Sequence, residues 1–352
     1  MPQRPDHAGR NLVLAACLIA TFMAAVESTI IATIIPTIVG DLGGFTLFTW
    51  VFTVYLLTQA VTIPVYGRLA DIYGRKPIFF IGATIFLVGT GLCGAAWSIP
   101  SLIAFRAIQG CGAGAIQPIA ATILGDIYTP QERGRIQGLV SSVFGVSAVI
   151  GPSLGAFLVE HVSWRVTFWV NIPIGLAAIV MIALFLHETV EHRQHKIDWI
   201  GGLLLLTVFA TLMPAMVEGG RLAPPALALL LLAGVIALVA LYANEKTTDE
   251  PMLPLELWRH NRVVLVGSLG NFTSGAMMMG ICAFLPTYVQ GAMGRTAIMG
   301  GLVLGAMSVS WALFSIIAGR LMGRTSYRTV AIAGASAMVT GCVILLLASP
   351  SD

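Results

Sequence analysis

The chain has 352 residues, of which 57% are hydrophobic and only 10% charged, with a mean hydropathy of +0.90. Water-soluble domains carry about a quarter charged residues, so this chain cannot cover a water-facing surface and must take lipid as its solvent. The net charge of +3 marks no acidic or basic partner, and there is no basic patch for nucleic acid to bind.

A bilayer core of about 30 Å requires about 20 apolar residues per helix. Eleven runs qualify, at 12–39, 47–66, 78–97, 101–125, 137–159, 166–187, 199–217, 226–243, 262–289, 297–319 and 329–348. Their connections carry Pro, Gly or charge, as turns between helices do, and no segment alternates in polarity like the strands of a membrane barrel. The sequence predicts an all-α membrane protein with about eleven transmembrane helices. The first run far exceeds the ~7–15 residues of a signal core and reads as a retained span. With the N-terminus in the cytoplasm, only Arg165, Arg221 and Arg295 fall outside and Arg106 falls within a span; every other lysine and arginine lies inside, as the positive-inside rule demands. The expected location is the plasma (inner) membrane.

Span 1 holds Glu27-Ser28-Thr29-Ile30, followed by Pro36. Glu27 is the carboxylate placed near mid-membrane. Acids are expensive there and usually functional. An acid withdrawn from water can take up and give up a proton, which proton coupling needs; the alternative is a protonated Glu that hydrogen-bonds for packing. After span 2 comes Gly67-Arg68-Leu69-Ala70-Asp71-Ile72-Tyr73-Gly74-Arg75-Lys76-Pro77, read as a loop. Its glycines allow a tight turn, Asp71 can accept hydrogen bonds from a helix N-terminus, and Arg75 and Lys76 pin it to the cytoplasmic face.

Span 4 carries Leu102, Arg106, Gln109, Gly110, Gly112 and Gly114. An Arg within a membrane helix costs about 2.5–3.5 kcal/mol on insertion scales. It needs a carboxylate, carbonyls or water, or else snorkels to the outer interface. Gln109 shares its face, and Gly110 and Gly114 form a seam for a neighbouring helix. Span 5 has Gly145, Gly151, Pro152 and Gly155, glycines for close packing around a proline that removes a backbone hydrogen bond. Trp164-Arg165, Phe168, Asn171, Pro173 and Gly175 enter span 6, Asp198 and Gly201 open span 7, and Val217-Glu218-Gly219-Gly220 follows it.

The Gly67–Pro77 segment resembles the signature loop of the major facilitator superfamily, with Ile72 where a basic residue is frequent. The span 4 residues resemble the same superfamily's Arg-Gln-Gly pattern. Gly145, Gly151, Pro152 and Gly155 resemble its antiporter signature, with Ala156 in place of the frequent last Gly. Glu27-Ser28-Thr29-Ile30 with Pro36 is similar to the first-span pattern of the fourteen-span drug:proton antiporters, Glu27 standing at the Asp position and Ala32 at the frequent Asn position. The resemblance covers essentially the whole chain and implies a proton-coupled exporter of amphipathic or hydrophobic small molecules. It assigns proton coupling to Glu27 and Arg106, a conformational latch to Gly67, Asp71, Gly74, Arg75 and Lys76, and the antiporter motif to span 5. An exporter of a specific metabolite, siderophore or lipid, or a membrane protein that no longer transports, are the alternative readings.

Two landmarks recur in order: Pro36-Thr37-Ile38-Val39 and Gly67-Arg68-Leu69 are echoed by Pro286-Thr287-Tyr288-Val289 and Gly319-Arg320-Leu321. Such parallel repeats build transporters that rock around a midplane site. In the second half Gly323 replaces Asp71, and Met277 replaces Glu27. The resulting layout is a six-helix bundle over 1–190, two linking helices over 191–250 and a partial three-helix bundle over 251–352. It leads to the expectation that the reading frame continues and that the 352-residue form does not transport alone.

The remaining features carry no chemistry. Cys17, Cys93, Cys111, Cys282 and Cys342 form no paired motif and read as small core residues. His187, His192 and His195, with Glu188 and Glu191, read as a solvated linker. Met277-Met278-Met279 reads as adaptable lining or core. No nucleotide loop or nucleophile elbow occurs, so no enzyme activity, cofactor or metal is expected. The partners are a small-molecule substrate, protons and the lipid bilayer.

Overall fold

The computed structural model describes residues 7–44, 47–188, 198–220, 222–248, 251, 255–291, 293–294, 297–322 and 324–347. All its regular elements are helices: α1 His7–Leu42, α2 Phe48–Tyr73, α3 Arg75–Gly94, α4 Ile99–Ile127, α5 Pro130–His161, α6 Trp164–Trp169, α7 Asn171–Phe185, α8 Trp199–Glu218, α9 Pro224–Thr247, α10 Leu255–His260, α11 Arg262–Gly291, α12 Ala297–Met322 and α13 Tyr327–Leu347. Each of the eleven apolar runs is helical over most of its described residues. Among the described residues nine spans are long and apolar enough to cross a bilayer, α6 and α7 together counting as one, and α12 adds a shorter apolar stretch, Val309–Met322.

Three helices differ from the runs that announced them. The sixth span is divided into α6 and α7, which meet at Val170, whose backbone keeps helical angles (φ −57°, ψ −29°). Helix α5 starts at Pro130, ahead of its apolar run, because Glu132, Arg133 and Arg135 continue it beyond the apolar core. Helix α2 runs on to Tyr73, so Gly67 and Asp71 are helical rather than in a loop. The expected loop is a single residue, Gly74, at φ 95° and ψ 157°, a conformation open to glycine and costly for any residue with a Cβ. Gly323, His192, His195 and Glu191 lie outside the described residues.

The chain divides into two compact units, Met1–Ile127 with Gly151–Glu256, and Tyr128–Ile150 with Leu257–Asp352. In the first unit α4 packs between α2 and α3, α1 packs on α4 and α7, and α8 pairs with α9. Glycines on α4 set its distance to both neighbours. A Cβ at Gly110 or Gly114 would overlap Thr58 or Thr62 of α2, and a Cβ at Gly112 would overlap the backbone of Phe86 in α3. In lipid, where burial supplies no hydrophobic drive, such close backbone contact holds helices together. Around α1 the core comprises Val26, Ile30, Ile31, Ile34 and Ile38 with Val51, Ile99, Leu102, Trp164 and Phe168. In the second unit α11 packs on α12 and α12 on α13, and Gly319 meets the carbonyl of Gly134 so closely that a Cβ would lie 2.7 Å from it.

Candidate functional site

Glu27 and Arg106 lie at the centre of the first unit, each 1% exposed. Arg106 is about two turns into α4, and its side chain turns inward instead of snorkelling. Its Nη1 donates to Glu27 Oε1 at 2.8 Å and to Gln109 Oε1 at 2.6 Å, and its Nε donates to the Val51 carbonyl at 3.2 Å. The guanidinium also lies 4.0 Å from the centroid of the Tyr55 ring, a cation–π contact strengthened by the absence of water. A buried charge is tolerable only when paired and hydrogen-bonded, and the four contacts meet that condition.

Glu27 is satisfied from two helices, α4 and α7. Gln109 Nε2 donates to Oε1 at 3.0 Å and also to Thr90 Oγ1 on α3 at 2.8 Å. Asn171 Nδ2, from the first residue of α7, donates to Oε2 at 2.6 Å. The polar centre therefore ties α1, α2, α3, α4 and α7 together, and such networks are strongest in a low-dielectric interior. Chemically, it is an ionisable carboxyl whose charge is balanced by one fixed guanidinium. Thr90 and Tyr55 were not singled out in the sequence; Gln109 was, by its spacing from Arg106, and Asn171 was named only among the residues that enter span 6.

The antiporter-like segment touches the same helix. A Cβ at Gly151 would overlap Thr29 Oγ1, two residues after Glu27, and one at Gly155 would lie 3.3 Å from Ile34. Pro152 is inside α5 and Gly145 is buried.

The residues expected to form a latch lie at the α2–α3 turn. Asp71 is exposed and 3.8 Å from Arg75, while Arg75 Nε pairs with Asp126 at the end of α4 at 3.1 Å. Glu188, read from sequence as part of a solvated linker, caps α3: its two oxygens accept from the backbone N–H groups of Arg75 and Lys76, both at 2.9 Å. Lys76 reciprocates, its Nζ donating to the carbonyls of Ala183 and Leu186, both at 2.8 Å, at the end of α7. Anion at one helix start and cation at another helix end both complement the helix dipoles. Glu188→Ala is expected to lower stability by about 1–2 kcal/mol, the scale of a charged cap, and Glu188→Gln by less. Thermal unfolding of the two variants in one detergent checks this; equal midpoints for Glu188→Ala and the native protein would refute the cap.

Near the other end of α1, Asp41 accepts from Trp164 Nε1 at 2.8 Å and pairs with Arg165 at 3.0 Å, while Arg165 Nη2 donates to the Ala96 carbonyl at 3.3 Å. Asp41 lies beyond the apolar span Gly9–Ile31. The indole and guanidinium donors hold its carboxyl below the usual range. A depressed folded-state value means that the tie contributes above the ordinary aspartate range and is lost as pH falls through the depressed value. Asp41→Asn is therefore expected to be less stable than the native protein at neutral pH and to converge with it in acid. A constant difference across an unfolding series from neutral to acid pH would contradict this.

Fold and site together define a multi-pass helical membrane protein with an ion pair buried among its spans. The sequence matches the Major Facilitator Superfamily over residues 17–352, and the chain belongs to that superfamily. It is 34% identical to multidrug resistance protein 3 of Bacillus subtilis, over 98% of this chain and 68% of that one. It is 32% identical to the multidrug transporter protein MdtP of the same organism, over 98% of this chain and 64% of that one, and 32% identical to the efflux pump FUS6 of Gibberella moniliformis, over 96% and 62%. The chain thus spans about two thirds of the length of these relatives. Two solved structures share the fold, each with a TM-score of 0.59: the human organic anion transporter MFSD10, at 16% identity over 88% of this chain and 72% of that one, and the proton:xylose symporter XylE, at 11% identity over 90% and 69%.

Proposed function

We propose that the protein works in proton-coupled antiport, exporting amphipathic or hydrophobic small molecules across the plasma membrane, with its N-terminus in the cytoplasm. The observation that carries this reading is the carboxylate of Glu27, buried in the middle of the first unit and held by Arg106. The relatives' names, multidrug transporters and efflux pumps, supply the direction and the cargo class.

Glu27 binds a proton when the site is open to the outside and gives it up when open to the cytoplasm. Protonation removes the charge that Arg106 neutralises, so the guanidinium turns to its remaining partners or to substrate. The membrane potential supplies about 2.3 kcal/mol per charge per 100 mV. Residues 1–190 serve as the first bundle, 191–250 as linking helices and 251–352 as part of the second. Gly67, Asp71, Gly74, Arg75 and Lys76 govern the exchange between open states, and Gly145, Gly151, Pro152 and Gly155 form the antiporter motif of α5. Asp71→Asn is expected to slow that exchange with little change in substrate affinity; collapsed affinity with normal exchange rates would refute the latch.

Cells making the protein should retain less ethidium, an amphipathic fluorescent cation, and a protonophore should abolish the difference. Reduced retention that survives collapse of the proton gradient would overturn proton coupling.

A further inference from the structure

Glu27 is hydrogen-bonded unevenly. Oε1 accepts from both Arg106 and Gln109, whereas Oε2 accepts from Asn171 Nδ2 alone. A proton arriving at Oε1 would displace a guanidinium, so Oε2 is the oxygen open to protonation. Asn171 is 0% exposed, and its Oδ1 has no hydrogen-bond partner. Buried amide oxygens are nearly always satisfied, and an exception calls for an explanation. Here the orphaned acceptor shares one amide with the donor that grips Oε2. The titratable groups around Glu27 are Arg106 on α4, Tyr55 on α2 and Cys93 on α3, and none of them is hydrogen-bonded to Oε2.

We propose that Asn171 reads the protonation state of Glu27, its amide donating to the ionised carboxylate and, after half a turn about its own axis, accepting the proton of the neutral acid through Oδ1. The inference rests on Glu27 being the coupling acid. On uptake, a proton from water on the outer side forms the Oε2–H bond, the Nδ2–H···Oε2 hydrogen bond breaks, and Oε2–H···Oδ1 replaces it. Release to cytoplasmic water reverses each step, and no electrons are exchanged. An asparagine suits this task because one planar group carries a donor and an acceptor that trade places on rotation. A serine would reach less far, and an aspartate would add a second charge. Because Asn171 is the first residue of α7, directly after Val170, the turn of its amide is delivered to the junction of α6 and α7. Asn171 is thus a positioning residue that acts through Glu27.

Infrared difference spectra of the purified protein between high and low pH test this without a substrate. On acidification the native protein should gain a carboxyl C=O band that Glu27→Gln lacks, together with a change in a side-chain amide band. In Asn171→Leu the carboxyl band should persist but move to higher frequency, its O–H having lost its acceptor, and that amide change should vanish. Asn171→Gln keeps the amide at a longer reach and should restore the amide change, with the carboxyl band displaced less than in the leucine variant. A carboxyl band that stays at its native frequency in Asn171→Leu overturns the proposal. If the leucine variant does not fold, an Asn171→Gln spectrum that shows the carboxyl band but no side-chain amide change overturns it instead. A native spectrum with no Glu27-dependent band refutes the coupling reading itself, and this proposal with it.

Discussion

Replacing Arg106 with alanine is expected to lower stability by about 3–5 kcal/mol, the scale seen when one partner of a buried ion pair is removed. The loss has identifiable parts. Glu27 is left buried without its guanidinium, and the Val51 carbonyl and Gln109 Oε1 each lose a donor. The Tyr55 ring loses a cation 4.0 Å from its centroid. Adding Glu27→Gln to the alanine variant should recover part of the loss, because the uncompensated charge is its largest part. Unfolding of the native, single and double variants in one detergent checks both statements. An alanine variant within about 1 kcal/mol of the native protein, the net worth of one ordinary hydrogen bond, would mean that the pair is not what holds the centre together.

Gly112→Leu should prevent α3 and α4 from packing at all. The added Cβ would overlap the Phe86 nitrogen and lie 2.5 Å from the Gly82 carbonyl. Both are backbone atoms, so no side-chain rotation relieves the clash. Overpacking in a close-packed core costs about 1–3 kcal/mol where neighbours can shift, and more is expected where they are helix backbone. The Gln109–Thr90 hydrogen bond crosses the same contact, so the polar centre falls with it. Gly67→Ala is the contrast: a Cβ there meets nothing within 4 Å, and alanine is the better helix former by about 1 kcal/mol. Size-exclusion profiles should show little or no folded Gly112→Leu and normal Gly67→Ala. A well-folded Gly112→Leu would contradict the packing described.

The spans were legible because lipid imposes a length and a polarity that composition alone reveals. Glu27, Arg106 and Gln109 were legible because polar side chains in such runs need a reason. Their mutual contact was not, since Glu27 and Arg106 are on different helices and only the packing of α1 on α4 brings them together. Gly110 and Gly114 announced a seam by spacing, but its partner, α2, is a tertiary fact. The turn at Gly74 was misjudged because apolar runs end before helices do: Arg68 and Asp71 terminate the hydropathy signal while the backbone continues to Tyr73. Glu188 looked like one more charge in a hydrophilic linker, and nothing local says that it caps a helix starting 113 residues earlier. Asp41 was passed over for the same reason, its partners being Trp164 and Arg165.

The central claim is that Glu27 carries the coupled proton, and proton release by the purified protein tests it most directly. In weakly buffered detergent solution, ethidium added to the native protein should drive protons into the medium, and Glu27→Gln should bind ethidium, read by its fluorescence, while releasing none. Undiminished release by a folded Glu27→Gln protein would contradict the account.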